Sequence, residues 1–99
     1  MQKLYIDDIR NPKSEGWIVV RDFESFVSHI NVNGLPDEIS FDHDLGENTK
    51  TGYDCAKWIC EYCWTNGLPI PNWNVHSANP VGRDNIIQLM ENFEKKLNY

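Results

Sequence analysis

Residues 38–66 read EISFDHDLGENTKTGYDCAKWICEYCWTN, the pattern of a strand followed by a helix. The run from Glu38 to Asp42 is short and apolar, which predicts a buried strand. After a polar loop, Thr51 and Asp54 have the spacing of a capping box, which predicts the start of a helix. Four side chains then recur on one helical face: Ala56, Ile59, Cys60 and Cys63. A strand that leads into a helix is the unit from which α/β sheets are built.

The rest of the chain repeats this alternation. Three further strands are predicted, at Lys3–Ile6, Trp17–Val20 and Trp73–His76. Asp22 can cap a second helix, and Asn79 followed by Pro80 marks the start of a third. Strands that alternate with helices imply a mostly parallel sheet with right-handed crossovers. The predicted fold class is therefore α/β, a small three-layer sandwich around a four-stranded, mostly parallel sheet.

Length and composition favour a single domain spanning residues 1–99. Fifteen acidic and nine basic side chains give a formal net charge of −6, which repels phosphate backbones, so we expect no general nucleic-acid binding. No signal peptide is recognisable, and no apolar run approaches the ~20 residues of a membrane span. Three cysteines, an odd count, argue against a secreted disulfide scaffold. We therefore expect a cytoplasmic protein without membrane association, in which an exposed strand edge would allow a homodimer.

Polar clusters follow three of the predicted strands. Asp7-Asp8 follows the first, Asp42-His43-Asp44 the third, and His76-Ser77 the fourth. The carboxyl ends of parallel strands lie at one edge of a sheet, where α/β proteins bind ligands. If these three strands are neighbours, five ionisable groups converge there: Asp7, Asp8, Asp42, His43 and His76. Asp44 either joins them or faces solvent.

These residue types suit phosphoester chemistry. Crowded carboxylates repel one another, and Mg²⁺ or Mn²⁺ relieves that repulsion through oxygen ligands. Histidine is the residue type whose unperturbed side chain changes charge near neutrality, so His43 and His76 are candidates for proton transfer. The helix that opens at Asn79 offers free N–H groups to an anion, Gly82 allows close approach of a ligand, and Arg83 can bind phosphate.

Each cluster taken alone also has a purely structural interpretation. Asp7-Asp8 is compatible with a turn, Asp42-His43-Asp44 with a solvated loop, and Arg83 with an ordinary surface cation. Cys60 and Cys63 form a C-x-x-C spacing, but they lie late in a helix, where thiolates are not stabilised, so we interpret them as core residues. Three clusters at three strand ends together favour a ligand site.

Four motifs resemble a known family. They are LYIDDIR at residues 4–10, ISFDHDLG at residues 39–46, TGYD at residues 51–54 and HSANPVGR at residues 76–83. They are similar to the cyclic-phosphate processing receiver domains, which share the flavodoxin-like fold of response-regulator receivers. The resemblance implies that the acidic pair and Asp42 bind Mg²⁺, and that the hydroxyl of Ser77 contacts a phosphoryl group.

The chain also departs from ordinary receivers. No helix is predicted between the first two strands, and these 99 residues contain no counterpart of the fifth receiver strand with its lysine. Aspartyl-phosphate signalling is therefore not expected. His43 and His76 instead add acid–base groups beside the aspartates, which favours processing of a cyclic phosphate.

The leading hypothesis is a metal-dependent phosphoesterase acting on a 2′,3′-cyclic phosphate end or a cyclic nucleotide or oligonucleotide. Asp7, Asp8 and Asp42 would hold Mg²⁺ or Mn²⁺, with Asp42 as a nucleophile in one variant. The acid and base would be His43 and His76, in either order. The phosphate ligands would be Ser77, Asn79, Gly82 and Arg83, with Arg10 and Asp44 as further candidates. The alternative is a non-catalytic module that sequesters a nucleotide or docks a protein partner.

Overall fold

The computed structural model describes residues 2–97, which form four strands and three helices. The strands are β1 (Lys3–Ile6), β2 (Trp17–Val20), β3 (Glu38–Phe41) and β4 (Asn72–Val75). The helices are α1 (Phe23–Asn33), α2 (Gly52–Asn66) and α3 (Pro80–Leu97). All neighbouring strands pair in parallel, in the order β2-β1-β3-β4. The predicted α/β class and four-stranded parallel sheet are confirmed. The predicted bounds of β1 and β2 are those observed, and the predicted ends of β3 and β4 differ from the observed ones by at most one residue.

Short polar side chains start the helices at the predicted places. Asp22 accepts the backbone N–H of Ser25 at 2.8 Å at the start of α1. Asp54 accepts the backbone N–H of Thr51 at 2.8 Å at the start of α2. Such bonds satisfy N–H groups that the first helical turn leaves without partners. Of the helices described between residues 2 and 97, none combines the length and the apolar character needed to span a membrane.

The hydrophobic core lies on one face of the sheet. Leu4 and Ile6 of β1 and Ile39 and Phe41 of β3 are fully buried there, among apolar residues of all three helices. The ring of Phe41 lies 6.2 Å from that of Phe26 in α1. The alternate positions in the strands point to the opposite face, which is polar and partly exposed.

The layer count differs from the prediction. Within residues 2–97 the three helices form one row on a single face, so this part of the chain has two layers and not three. Right-handed crossovers from β2 to β3 and from β3 to β4 run in the same direction along the sheet, so both place their helix on the same side. The connection from β1 to β2 runs in the opposite direction, but it is a loop and supplies no helix for the other face.

The three cysteines are free thiols buried in the core. The sulfur of Cys60 lies 3.6 Å from that of Met90 in α3. Burial raises the pKa of Cys60 to about 12 and that of Cys63 to about 11. Thiols that remain protonated at neutral pH are poor nucleophiles and poor metal ligands, so the C-x-x-C pair serves packing, as the sequence predicted.

Candidate metal and phosphate site

The strands β1, β3 and β4 are neighbours, and each is followed by one residue of a compact polar group. The backbone N–H of Asp42 donates to the carbonyl of Ile6 at 3.0 Å, and that of His76 donates to the carbonyl of Phe41 at 2.9 Å. These bonds extend the sheet by one residue and thereby fix Asp42 and His76 beside Asp7. One ligand atom from each of these three residues lies within 4.8 Å of the others. We call Asp7, Asp42 and His76 the strand-end trio.

Asp7 is fully buried and strongly hydrogen-bonded. Its Oδ1 accepts the backbone N–H groups of Ile9 at 3.0 Å and Arg10 at 2.7 Å. Its Oδ2 lies 3.0 Å from Arg10 Nε and 3.0 Å from His76 Nε2. Burial alone would raise the pKa of Asp7, but the N–H bonds, the His76 contact and the Arg10 charge together hold it below its ordinary value. Asp7 is therefore ionised at neutral pH.

Asp42 is also buried, but its environment is less favourable to charge. Its Oδ1 accepts the backbone N–H of His43 at 2.9 Å and contacts Arg10 Nη2 at 3.1 Å. Burial and the neighbouring charge of Asp7 nevertheless raise the pKa of Asp42 above its ordinary value. Two carboxylates thus share one guanidinium, which leaves a site that favours additional positive charge.

A chain of hydrogen bonds orients His76. Asn74 Nδ2 donates to Glu38 Oε2 at 3.4 Å, so Asn74 Oδ1 faces Ser40, whose hydroxyl donates to it at 2.5 Å. The single proton of Ser40 is then used, and its oxygen accepts a bond from Nδ1–H of His76 at 2.7 Å. Consequently it is Nε2 of His76 that faces Asp7 Oδ2, and a hydrogen bond between them at 3.0 Å requires a proton on Nε2.

The ring of His76 is held from its face as well. Tyr5 stacks on it with the ring centroids 4.2 Å apart and the planes 10° from parallel. Sequence reasoning assigned no role to Tyr5, Ser40 or Asn74. Their positions could have indicated a role, because these polar or amphipathic residues alternate with apolar ones along the strands and therefore lie on the sheet face opposite the apolar core.

His43 is adjacent to the trio in sequence but its ring lies elsewhere. Its Nδ1 lies 3.0 Å from Asp44 Oδ1. A Cβ atom on Gly82 would come within 2.3 to 2.7 Å of three ring atoms of His43. The absence of a side chain at Gly82 therefore makes room for His43 against α3, where the sequence analysis expected a ligand.

Gly52 is a second glycine that shapes the site, and sequence reasoning missed it. Its N–H donates to the carbonyl of His43 at 2.7 Å. A Cβ atom here would lie 1.5 Å from the carbonyl oxygen of Asp42. The first turn of α2 therefore packs directly on the backbone that carries Asp42 and His43. The TGYD motif contains Gly52, but the motif does not reveal which segment approaches it.

The remaining candidates lie around the trio. Asp8 is half-buried and is not a member of the trio, and Asp44 is exposed beside His43. Ser77 Oγ accepts the backbone N–H of Asn79 at 3.1 Å, and Asn79 Oδ1 accepts that of Gly82 at 3.1 Å, as the predicted helix start requires. The hydroxyl proton of Ser77 and the Nδ2 group of Asn79 remain available as donors.

Arg10 and Arg83 differ in their relation to the trio. Arg10, a further candidate in the sequence, contacts both aspartates of the trio. Arg83 is exposed and lines a groove between β4 and α3 together with Glu91 and Glu94. The structure therefore brings one of the two candidate arginines to the carboxylates and leaves the other in a groove that two acidic residues of the same helix also line.

Comparison with known proteins gives one family and one similar structure. A family model described as the cyclic-phosphate processing receiver domain matches residues 2–92. A solved fusion chain that includes part of the yeast Spc42 trimeric coiled coil is 16% identical, with a TM-score of 0.54, and the match covers 98% of this chain and 80% of that chain. Such low identity indicates a shared fold and nothing about function. No curated protein matches the chain.

Proposed function

The chain belongs to the cyclic-phosphate processing receiver domain family, and from this premise we propose that it is a metal-dependent phosphoesterase that opens a cyclic phosphate. The proposed substrates are a 2′,3′-cyclic phosphate end or a cyclic nucleotide or oligonucleotide. The observation that carries the proposal is the convergence of Asp7, Asp42 and His76 within 4.8 Å. Two carboxylates and an imidazole are ligand types that divalent cations use in hydrolytic enzymes.

The donor set of the trio fits a divalent cation. The two buried carboxylates have only one guanidinium between them, and burial and the charge of Asp7 raise the pKa of Asp42 despite the contact with Arg10. His76 directs Nε2 toward the aspartates while its Nδ1–H is bonded to Ser40, which is the usual arrangement of a metal-binding histidine, and a cation bound there would replace the proton between Nε2 and Asp7 Oδ2. A nitrogen ligand favours Mn²⁺, whereas Mg²⁺ prefers oxygen, so we propose Mn²⁺ first and Mg²⁺ second. Asp8 remains a proposed additional ligand.

The bound cation would stabilise charge on the phosphoryl group and activate water. Opening the ring forms a bond from water oxygen to phosphorus, breaks one phosphorus–oxygen bond to the sugar, and transfers a proton to the departing sugar oxygen. We assign this proton transfer to His43, which Asp44 orients through Nδ1. Ser77 and Asn79 would donate hydrogen bonds to phosphate oxygens from the free donors described above, with Arg83 as a further phosphate ligand. His76 would serve the cation and not act as acid or base.

The test is incubation of the pure protein with a panel of cyclic phosphates, in Mn²⁺, Mg²⁺ or EDTA, with chromatography before and after heat denaturation. The proposal predicts a linear product that forms with the cation and not with EDTA. A ligand that disappears from solution during incubation and is released unchanged on heating would show that the protein sequesters its ligand and does not hydrolyse it. If no member of the panel is altered or retained, the phosphoester proposal fails and a protein partner becomes the better hypothesis.

Ser40→Ala provides a sharper test of the role of His76. The substitution removes the acceptor for Nδ1–H, so the ring loses its fixed orientation. Loss of such a supporting contact weakens metal binding by about 10–100-fold, and we expect that effect on Mn²⁺ affinity measured by calorimetry. Ser28→Ala, at an exposed position of α1, is the matched control. Equal Mn²⁺ affinities in the two variants would show that Ser40 does not orient a metal ligand.

A further inference from the structure

We propose that Arg10 is the internal counter-ion of the strand-end trio, and that a divalent cation binds by displacing its guanidinium from Asp7 and Asp42. This inference rests on the proposed metal site. It concerns the group that keeps the two carboxylates close together when no metal is bound. It assigns to Arg10 a role in setting the affinity of the site for its cation.

The guanidinium bridges the two aspartates. Arg10 Nε lies 3.0 Å from Asp7 Oδ2, and Arg10 Nη2 lies 3.1 Å from Asp42 Oδ1. Both carboxylates are almost entirely buried, whereas the Arg10 side chain is 45% exposed. The positive charge therefore reaches a buried pair of negative charges from the solvent side.

The cation and the guanidinium compete for the same oxygen. Oδ1 of Asp7 already accepts two backbone N–H groups, from Ile9 and Arg10. Oδ2 is the oxygen that remains for a metal, and Arg10 Nε and His76 Nε2 each already lie 3.0 Å from it. Coordination through Oδ2 must replace one of these contacts. His76 is itself a proposed ligand and is held by Ser40 and Tyr5, whereas the Arg10 side chain is partly exposed, so Arg10 Nε is the partner that withdraws.

The charges of the site lead to the same conclusion. Asp7 and Asp42 together carry two negative charges, which one divalent cation neutralises. If the guanidinium stayed in contact as well, it would lie directly beside the cation, and like charges repel strongly where the carboxylates are buried. Arg10 and the cation are thus alternatives as partners for the pair.

The loop allows this exchange without unfolding. The backbone N–H of Arg10 is bonded to Asp7 Oδ1, and its carbonyl accepts a bond from Arg21 Nη1 at 2.7 Å. Arg21 Nη2 also donates to Asn11 Oδ1 at 2.6 Å. Because these bonds involve no atom of the Arg10 side chain, the guanidinium can rotate toward solvent while the backbone stays in place.

The experiment compares the wild-type protein with Arg10→Gln in two measurements. The first is thermal unfolding in EDTA, where Arg10→Gln is expected to lower the Tm because the two carboxylates lose their shared partner. The second is Mn²⁺ titration, where the same variant is expected to bind about tenfold more tightly because no guanidinium has to be displaced. Saturating Mn²⁺ should accordingly reduce the Tm difference between the two proteins.

Lys13→Gln is the matched control, since it removes one positive charge from the same loop at an exposed position. It measures the general effect of net charge on Mn²⁺ affinity. If Arg10→Gln binds Mn²⁺ no more tightly than Lys13→Gln while the wild type binds normally, the displacement is wrong and the metal site stands. If all three proteins fail to bind Mn²⁺, the proposed metal site and the displacement are both wrong. Equal Tm values of the two variants in EDTA would overturn the counter-ion role by itself.

Discussion

Asp42→Asn is expected to abolish metal-dependent turnover and, at the same time, to raise the Tm of the metal-free protein at neutral pH. The amide keeps an oxygen for the N–H of His43 and for Arg10, so the local structure survives. It lacks the negative charge that a divalent cation requires, and we expect turnover of a cyclic phosphate to fall by more than ~10²-fold. It also removes the repulsion from Asp7, which is why the variant should be more stable.

The pH dependence of that stability has a definite sign. Burial and Asp7 raise the pKa of Asp42 in the folded state, so the ionised carboxylate costs stability at any pH above the folded pKa. As the pH falls through the folded pKa, protonation removes this cost, and below the ordinary value of 3.8 the advantage of Asp42→Asn should vanish. Asp7 has a lowered pKa, so Asp7→Asn should instead destabilise the protein at neutral pH, and its deficit should shrink as acid protonates the wild-type carboxylate.

Thermal unfolding in EDTA at a series of pH values checks both signs. Asp84→Asn, at an exposed position of α3, controls for the loss of one negative charge and should show no comparable trend. A lower Tm for Asp42→Asn than for the wild type at neutral pH would mean that the attraction of Asp42 to Arg10 outweighs the cost of its burial and its repulsion from Asp7. The site would then have no shortage of positive charge, and the electrostatic case for a cation would be lost.

Gly52→Ala is the second large effect that the structure predicts. A Cβ atom at this position would lie 1.5 Å from the carbonyl oxygen of Asp42 and 2.7 Å from its carbonyl carbon. Both are backbone atoms of the segment that the sheet holds in place, so neither can move cheaply. We expect a loss of about 3–5 kcal/mol in the free energy of unfolding, which in a domain of this size lowers the Tm by roughly 15 °C or more.

Two other glycines provide the comparison. Gly67 ends α2 at φ = 64° with open space around it, so Gly67→Ala should cost only about 1 kcal/mol. At Gly82 the obstacle is the side chain of His43, which can rotate, so Gly82→Ala should fold while displacing that ring. Urea unfolding of the three variants should therefore rank Gly52→Ala as by far the least stable. Equal stability of Gly52→Ala and Gly67→Ala would show that α2 does not pack on the Asp42 backbone as described.

The parts of this architecture that local sequence determines were predictable. The caps at Asp22 and Asn79 act within three residues, and strand–helix alternation implies parallel pairing with polar residues at one sheet edge. The layer count was not predictable in this way, because it depends on the side on which each crossover passes. The order of strands and helices along the chain is the same whether the helices cover one face of the sheet or both.

The features of the site likewise divide into those that the sequence predicts and those that it does not. Asp7 and Asp8 are the same residue type at adjacent positions, yet of the two only Asp7 joins the trio. The reason is that its carboxylate is held by the turn that follows β1. The orientation of His76 depends on Ser40, 36 residues earlier in the chain, through the register in which β3 pairs with β4. Such contacts between distant segments leave no periodic signal in one sequence. Gly82 was recognised as a position of close approach, but the sequence did not reveal that His43 is the group that approaches it.

Pulsed electron paramagnetic resonance of Mn²⁺ added to the protein tests the proposed metal centre most directly. We expect one bound Mn²⁺ per chain with nitrogen modulation from a coordinated imidazole. His76→Gln should remove that modulation, and His43→Gln should retain it, because the ring of His43 lies against α3 and outside the trio. Mn²⁺ that binds without nitrogen coupling, or that keeps the coupling in His76→Gln, would contradict the metal centre formed by Asp7, Asp42 and His76.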